Sequence, residues 1–240
     1  MRKAVYMMMI VGMAVSAMAE AEVTVDVASA YVFRGVTLND SAVLQPGLSA
    51  SGPIDISVWG NLDLADYDEI GLESGEFSEI DLAASYDIPL DLDPISFSVG
   101  YIEYTYPTAG ADADREVSIG ASLGLPLEPS ITAYYGVDGA VDDSVYVELA
   151  AGLEQELTEG LSGSLGAVVA YASPDEGDDG FSHYSVSAGL SYGLLSASVT
   201  YVGQIDDDVL TDMVPATADT EGAAGHDVEV YGMVGIATSF

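Results

Sequence analysis

The stretch Ser182-His183-Tyr184-Ser185-Val186-Ser187-Ala188-Gly189-Leu190-Ser191-Tyr192 decides the fold class. One phase reads Tyr184, Val186, Ala188, Leu190 and Tyr192; the other reads His183, Ser185, Ser187, Gly189 and Ser191. A period of two residues puts all the apolar groups on one side of an extended chain, which is the mark of a strand with one greasy face. The same pattern repeats on both sides. Val145, Val147, Leu149, Ala151, Leu153 and Leu157 alternate with Ser144, Glu148, Glu154 and Glu156. Leu161, Leu165, Ala167, Val169 and Tyr171 alternate with Ser162, Ser164 and Gly166. Val228, Val230, Gly232, Val234, Ile236, Thr238 and Phe240 close the chain on the apolar phase. After the first segment no helical stripe of period 3.6 competes.

Read between turn signals, the pattern predicts twelve strands: 22–34, 42–51, 54–64, 77–87, 95–106, 115–125, 130–137, 144–157, 161–172, 182–192, 194–204 and 227–240. In 95–106 the phase changes from Ile95, Phe97, Val99 and Tyr101 to Ile102, Tyr104 and Tyr106, which a bulge near Gly100-Tyr101 would reconcile. Short connections (52–53, 88–94, 126–129, 158–160, 193) alternate strictly with long acidic ones (35–41, 65–76, 107–114, 138–143, 173–181, 205–226). In a closed antiparallel sheet this puts every long loop at one end and every tight turn at the other, the layout of outer-membrane barrels. The expected fold is all-β: a transmembrane antiparallel up-and-down barrel of about twelve strands, spanning 20–240.

Residues 1–19 read as a separate unit. Arg2 and Lys3 precede an apolar run from Ala4 to Val15 and the small-x-small site Ala17-Met18-Ala19, the design of a secretory signal peptide. The run is short of the roughly 20 residues that a spanning helix needs. Cleavage near Ala19-Glu20 removes two basic side chains and leaves Arg34 and Arg115 as the cations of the mature chain. Export to a bacterial outer membrane follows, and lipid, lipopolysaccharide and the barrel assembly machinery are the expected partners, with Phe240 as the membrane-insertion signal.

Composition narrows the functions. In 240 residues there are 40 acids and 4 bases, a formal net charge of −36, yet 49% of the residues are apolar, so disorder is not the reading. Without a basic patch to neutralise phosphates, nucleic acid is excluded as a partner. Zero Cys removes disulfides, thiolate metal sites and a Cys nucleophile together. With two His in the chain, no cofactor or metal is expected. The acidic loop runs (Asp66, Asp68, Glu69; Asp175, Glu176, Asp178, Asp179; Asp206, Asp207, Asp208) lack the ordered spacing of a calcium loop and read as solvated surface.

A lipid-facing apolar side leaves the other phase to line a hydrated lumen. Carboxylates expected on that phase are Asp55, Asp63, Glu79, Asp81, Glu103, Glu148, Glu154 and Glu156; they would concentrate small cations and repel anions. Arg34 falls on the inward phase at the loop end of the first strand, bracing the wall or setting a constriction. Arg115 is expected to snorkel at the outer interface.

The run Ala28-Ser29-Ala30-Tyr31-Val32-Phe33-Arg34-Gly35-Val36, followed by Gln45-Pro46-Gly47, resembles the opening of the TorF family of proteobacterial outer-membrane porins. Trp59-Gly60-Asn61-Leu62-Asp63, Glu79-Ile80-Asp81-Leu82, the run from Gly100 to Pro107, and Ser144-Val145-Tyr146-Val147-Glu148 fit that pattern in order. Departures are the missing Ser beside Asn61 and a long acidic final loop. The resemblance implies an outer-membrane barrel of porin type and carries no substrate with it. Three functions are therefore set against each other. The first is a passive, cation-preferring pore for small cationic or neutral solutes. The second is a barrel hydrolase using His183 and Ser185, although no Asn follows the Ser to orient the His. The third is a non-conducting surface barrel that binds a partner through its acidic loops. Oligomeric state is not legible.

Overall fold

The computed structural model describes residues 20–67, 72–214 and 223–240. The expected signal peptide, 1–19, lies outside the described residues.

The strands are β1 (Glu20–Ala28), β2 (Tyr31–Phe33), β3 (Val36–Asn39), β4 (Val43–Ser51), β5 (Asp55–Asp63), β6 (Phe77–Ile88), β7 (Ile95–Thr105), β8 (Asp114–Leu123), β9 (Ser130–Asp138), β10 (Val145–Thr158), β11 (Leu161–Ser173), β12 (Gly180–Tyr192), β13 (Leu195–Gln204) and β14 (Val230–Ser239). Twelve of them close into one antiparallel barrel in the order β1, β14, β13 and so on down to β4, which pairs again with β1. β2 and β3 form a separate two-stranded sheet. The closing seam runs from Glu22↔Ser239 to Ala28↔Met233. Full closure leaves no open edge, the condition for strands to cross hydrocarbon.

Alternation sorts side chains as the pattern requires. Leu149, Leu165, Ile119, Val234 and Phe240 point outward and stay exposed, Leu165 at 60%. So wide an apolar surface on a soluble monomer would aggregate; against acyl chains it is solvated by its own kind. Between β12 and β13 the ladder runs without slip from His183↔Gln204 to Tyr192↔Leu195, so Ser185, Ser187 and Gly189 all face inward. Gly193 completes this turn with φ 60°, a backbone region in which a residue with a Cβ is strained.

Two expectations are corrected. The first predicted strand, 22–34, is not one strand. β1 ends at Ala28, the chain bends at Ser29-Ala30, and the next residues fold back as the β2–β3 hairpin. The reason lies in the neighbouring ladder: β1 pairs β4 without slip from Glu20↔Ser51 to Ala28↔Val43, so the wall is already complete when the chain reaches Ala28. Residues 29–42 have no place left in the wall. The hairpin they form enters the lumen, where Ala28, Tyr31 and Val43 make a buried cluster against Phe33, Leu38, Trp59 and Met233.

The second correction concerns β7. No bulge interrupts it near Gly100-Tyr101: its pairing with β6 runs evenly from Ile80↔Thr105 to Ile88↔Phe97. Tyr101 and Glu103 therefore stay on the outward face with Val99. Ile102 and Tyr104 turn inward, because the hairpin gives large side chains something to pack on: the Phe33 and Tyr104 ring centres are 5.7 Å apart.

Candidate functional site

The lumen has two levels. Towards the tight turns it is lined by small and polar groups: Ser49, Ser57, Ala83, Ser85, Gly100 and Ser118 face a cavity of about 370 Å³ that also includes Asp55. Towards the long loops the β2–β3 hairpin crosses the bore.

The hairpin touches the wall on nearly every side. From β2, Tyr31 donates to Glu79 Oε2 on β6 at 2.9 Å and lies against the Trp59 ring of β5 at 5.4 Å. From β3, Asn39 Nδ2 donates to Asp63 Oδ1 at 2.7 Å, and Asn61 Nδ2 donates to the same oxygen at 3.1 Å. Gln45 Nε2 donates in turn to Asn61 Oδ1 at 3.0 Å. The last long loop reaches over the other side: Thr37 N donates to Gly225 O at 2.8 Å, and Val228 N to Thr37 Oγ1 at 2.9 Å.

Arg34 sits at the tip. Its guanidinium makes a bidentate pair with Glu116 on β8, Nη1 to Oε1 at 2.7 Å and Nη2 to Oε2 at 2.8 Å. Tyr104 Oη donates to the same carboxylate at 2.8 Å. The guanidinium carbon lies 4.1 Å from the Tyr146 ring centre, 4.7 Å from Tyr134 and 5.0 Å from Phe33. A planar cation between aromatic faces, its fork filled by a buried carboxylate, is a strong arrangement for Arg. Backbone strain accompanies it. Arg34 has φ 51° and Gly35 φ 84°, the two left-handed residues of a tight turn in which Asn-Gly is the unstrained choice. Gly35 is needed for a second reason: a Cβ there would come within 2.7 Å of Leu210 and 2.9 Å of His183.

The expected lumen residues divide accordingly. Asp63 and Glu79 face inward but are buried by the hairpin, and Asp81 lies inward beside Glu79. Asp55 faces inward at the turn end, accepting from Gly52 N at 3.1 Å. Glu148 accepts from Tyr146 Oη at 3.2 Å, and Glu154 shares its inward phase nearer the turns. Glu103 is the exception. It lies on the outward face, where Arg115 Nε donates to it at 2.7 Å, while Arg115 Nη1 pairs with Asp138. Sequence reading missed Glu116, Asp114 and the tyrosines of the upper lumen. The signal for the first was present, since Glu116, Ser118, Gly120 and Ser122 share one phase of β8.

The His–Ser pairing also differs from expectation. His183 Nδ1 meets Ser182 Oγ at 3.1 Å, rather than Ser185. A slip in the β11–β12 register between Val169 and Tyr171 allows Ser182 and His183 both to be buried. The imidazole stacks on Tyr146 with ring centres 6.4 Å apart, underneath the hairpin tip. His226 Nδ1 lies 3.2 Å from Gly35 O. Among the described residues, Asp206, Asp207 and Asp208 bring three carboxylates together, all exposed, with Asp206 Oδ1 occupied by Asp208 N. In the loop after β5, the Ser74 N–H holds the exposed Asp66 carboxyl below its ordinary range.

A family model covers residues 14–224, nearly the whole barrel. The chain belongs to the Gcw_chp family. That family is described as a bacterial protein of unknown function. No curated protein matches this Gcw_chp chain in sequence. Among solved structures, it is similar to the NanC porin in a rhombohedral crystal form (TM-score 0.52, 9% identity), covering 91% of this chain and 99% of that one. LpxR from Salmonella typhimurium gives a TM-score of 0.46 at 11% identity, covering 90% and 99%. A chain from work on in-meso crystallization of membrane proteins gives 0.49 at 10%, covering 92% and 84%. At such identities the NanC likeness is one of fold.

Proposed function

We propose that this Gcw_chp protein is an outer-membrane channel for passive diffusion of small solutes, with a preference for cations. The observation that carries the proposal is the inward face below the hairpin: chiefly serine, glycine and other small residues, interrupted by carboxylates and, among the described residues, by no cation. Arg34 is the sole basic side chain of the described residues that enters the lumen, and Glu116 neutralises it. Arg115 is on the other side of the wall. A bore of this kind holds water and attracts cations. The resemblance of the opening segment to the TorF porins supports the same reading, and the apolar outer wall supports a place in the outer membrane. The hairpin is then the constriction, a loop-end insert of the kind that narrows or plugs barrels.

Planar-bilayer recording in a KCl gradient tests this. Discrete conductance steps with a cation-selective reversal potential are expected. Neutralising Asp55, Glu148 and Glu154 together (Asp55→Asn, Glu148→Gln, Glu154→Gln) should move the reversal potential toward zero. An unmoved potential would reject those residues as the selective lining. Absence of steps from folded protein would reject the channel.

A further inference from the structure

We propose that Tyr104, Glu116, Tyr134 and Tyr146 form a binding site for small guanidinium-type cations, and that Arg34 is its tethered occupant. These four residues come from four consecutive wall strands, β7 to β10, so the site belongs to the barrel and not to the hairpin. Its chemistry is that of a guanidinium receptor. One buried carboxylate has both oxygens aimed at the fork, a tyrosine hydroxyl holds that carboxylate in plane, and two wall aromatic rings lie within 5 Å of the cationic carbon.

The segment delivering Arg34 is separable from the site. Ala28 and Val43 are already paired across β1 and β4, so residues 29–42 leave the wall and return to it at one rung. Arg34 also occupies a left-handed turn position that Asn or Gly takes without strain, which is the mark of a residue kept for its side chain. An anionic bore would raise the concentration of a free organic cation near this box. Access through the bore rests on the channel reading; binding at the box does not.

The test uses the full chain in detergent micelles, with residues 29–42 replaced by an Asn-Gly turn that closes β1 onto β4. Methylguanidinium is the probe and urea, planar and neutral, is its control, both followed by calorimetry. The turn-closed protein should bind methylguanidinium and not urea, while the wild type, its box filled by Arg34, should bind neither. Glu116→Gln in the turn-closed background should weaken binding about tenfold or more, as loss of charged hydrogen bonds requires. A folded turn-closed barrel that takes up no methylguanidinium, or binds it equally after Glu116→Gln, overturns the proposal. If that barrel does not fold, Arg34→Asn empties the box while retaining residues 29–42 in the chain. Calorimetry on that variant should show methylguanidinium binding that the wild type lacks, and failure to bind is equally decisive. Bilayer conductance of the same proteins separates the two readings. Binding without conductance rejects the channel and keeps the box; conductance without binding does the reverse.

Discussion

Replacing Arg34 by Asn should release the hairpin while leaving the barrel intact. The wild-type Arg34 side chain is 16% exposed and the Glu116 side chain 2%, so the pair is largely shielded from solvent. Removing one partner of such a pair costs about 3–5 kcal/mol, because the remaining charge stays buried without compensation. Asn is at ease with positive φ and returns about 1 kcal/mol of backbone strain at residue 34. The net loss is therefore about 2–4 kcal/mol. At a factor of ten per 1.4 kcal/mol, the opening equilibrium of the hairpin should rise roughly 30- to 700-fold. Hydrogen exchange with mass spectrometry, on protein in micelles, reads this directly from a peptide covering Tyr31 to Asn39. Peptides from β1 and β4 are the internal control, since their ladder closes at Ala28↔Val43 without help from the hairpin. Faster exchange in 31–39 alone is the expected outcome. If the hairpin amides keep their wild-type rates, the pair is not what seats the hairpin. If β1 and β4 lose protection in step with it, the hairpin is a structural part of the wall and not an insert.

Tyr31→Phe removes one hydrogen bond to a carboxylate and should loosen the same peptide by about 1.5–3 kcal/mol of opening free energy, again sparing the ladder. On the outer wall, Ile119→Arg should destabilise the barrel by about 2–4 kcal/mol in urea titrations in vesicles, while Ile119→Leu should change it little. The reconstituted protein should hydrolyse no lipid or ester substrate, because Ser182 and His183 are sealed beneath Gly35. Hydrolysis that His183→Ala abolishes would contradict this.

The wall was legible because each strand has two chemically different faces. Leu149, Leu153 and Leu157 against Glu148, Glu154 and Glu156 cannot be exchanged by a one-residue slip without turning acids into lipid. The hairpin was not legible. Tyr31, Val32 and Phe33 continue the extended pattern of β1, and Arg34-Gly35 is a weak turn signal beside Asn-Gly. What places them in the lumen is the β1–β4 register, a pairing between segments that alternation does not specify. Glu103 was misassigned for a related reason. Ile102 and Tyr104 look like an outward pair until Phe33 is known to stand inside and receive Tyr104. Arg34 and Glu116 are 82 residues apart, and one sequence holds no mark of their meeting.

The distribution of the two arginines bears on how the lumen carries charge. Arg115 is spent on the outer face between Glu103 and Asp138, and so takes nothing from the anionic field inside. Arg34 does enter the bore, but at its loop end and already compensated by Glu116. Below it, Asp26, Asp55, Glu148 and Glu154 share the inward phase, and no basic side chain of the described strands joins them there. Taking the hairpin away would remove Arg34 and Asp40 together and uncover Asp63, Glu79 and Glu116 on the wall towards the loop-end mouth. The consequence is directional: an unplugged barrel should be more cation-selective than the plugged one, not merely wider. A pore that widened with its reversal potential unchanged would mean that selectivity is set entirely at the lower level, by the carboxylates below the hairpin.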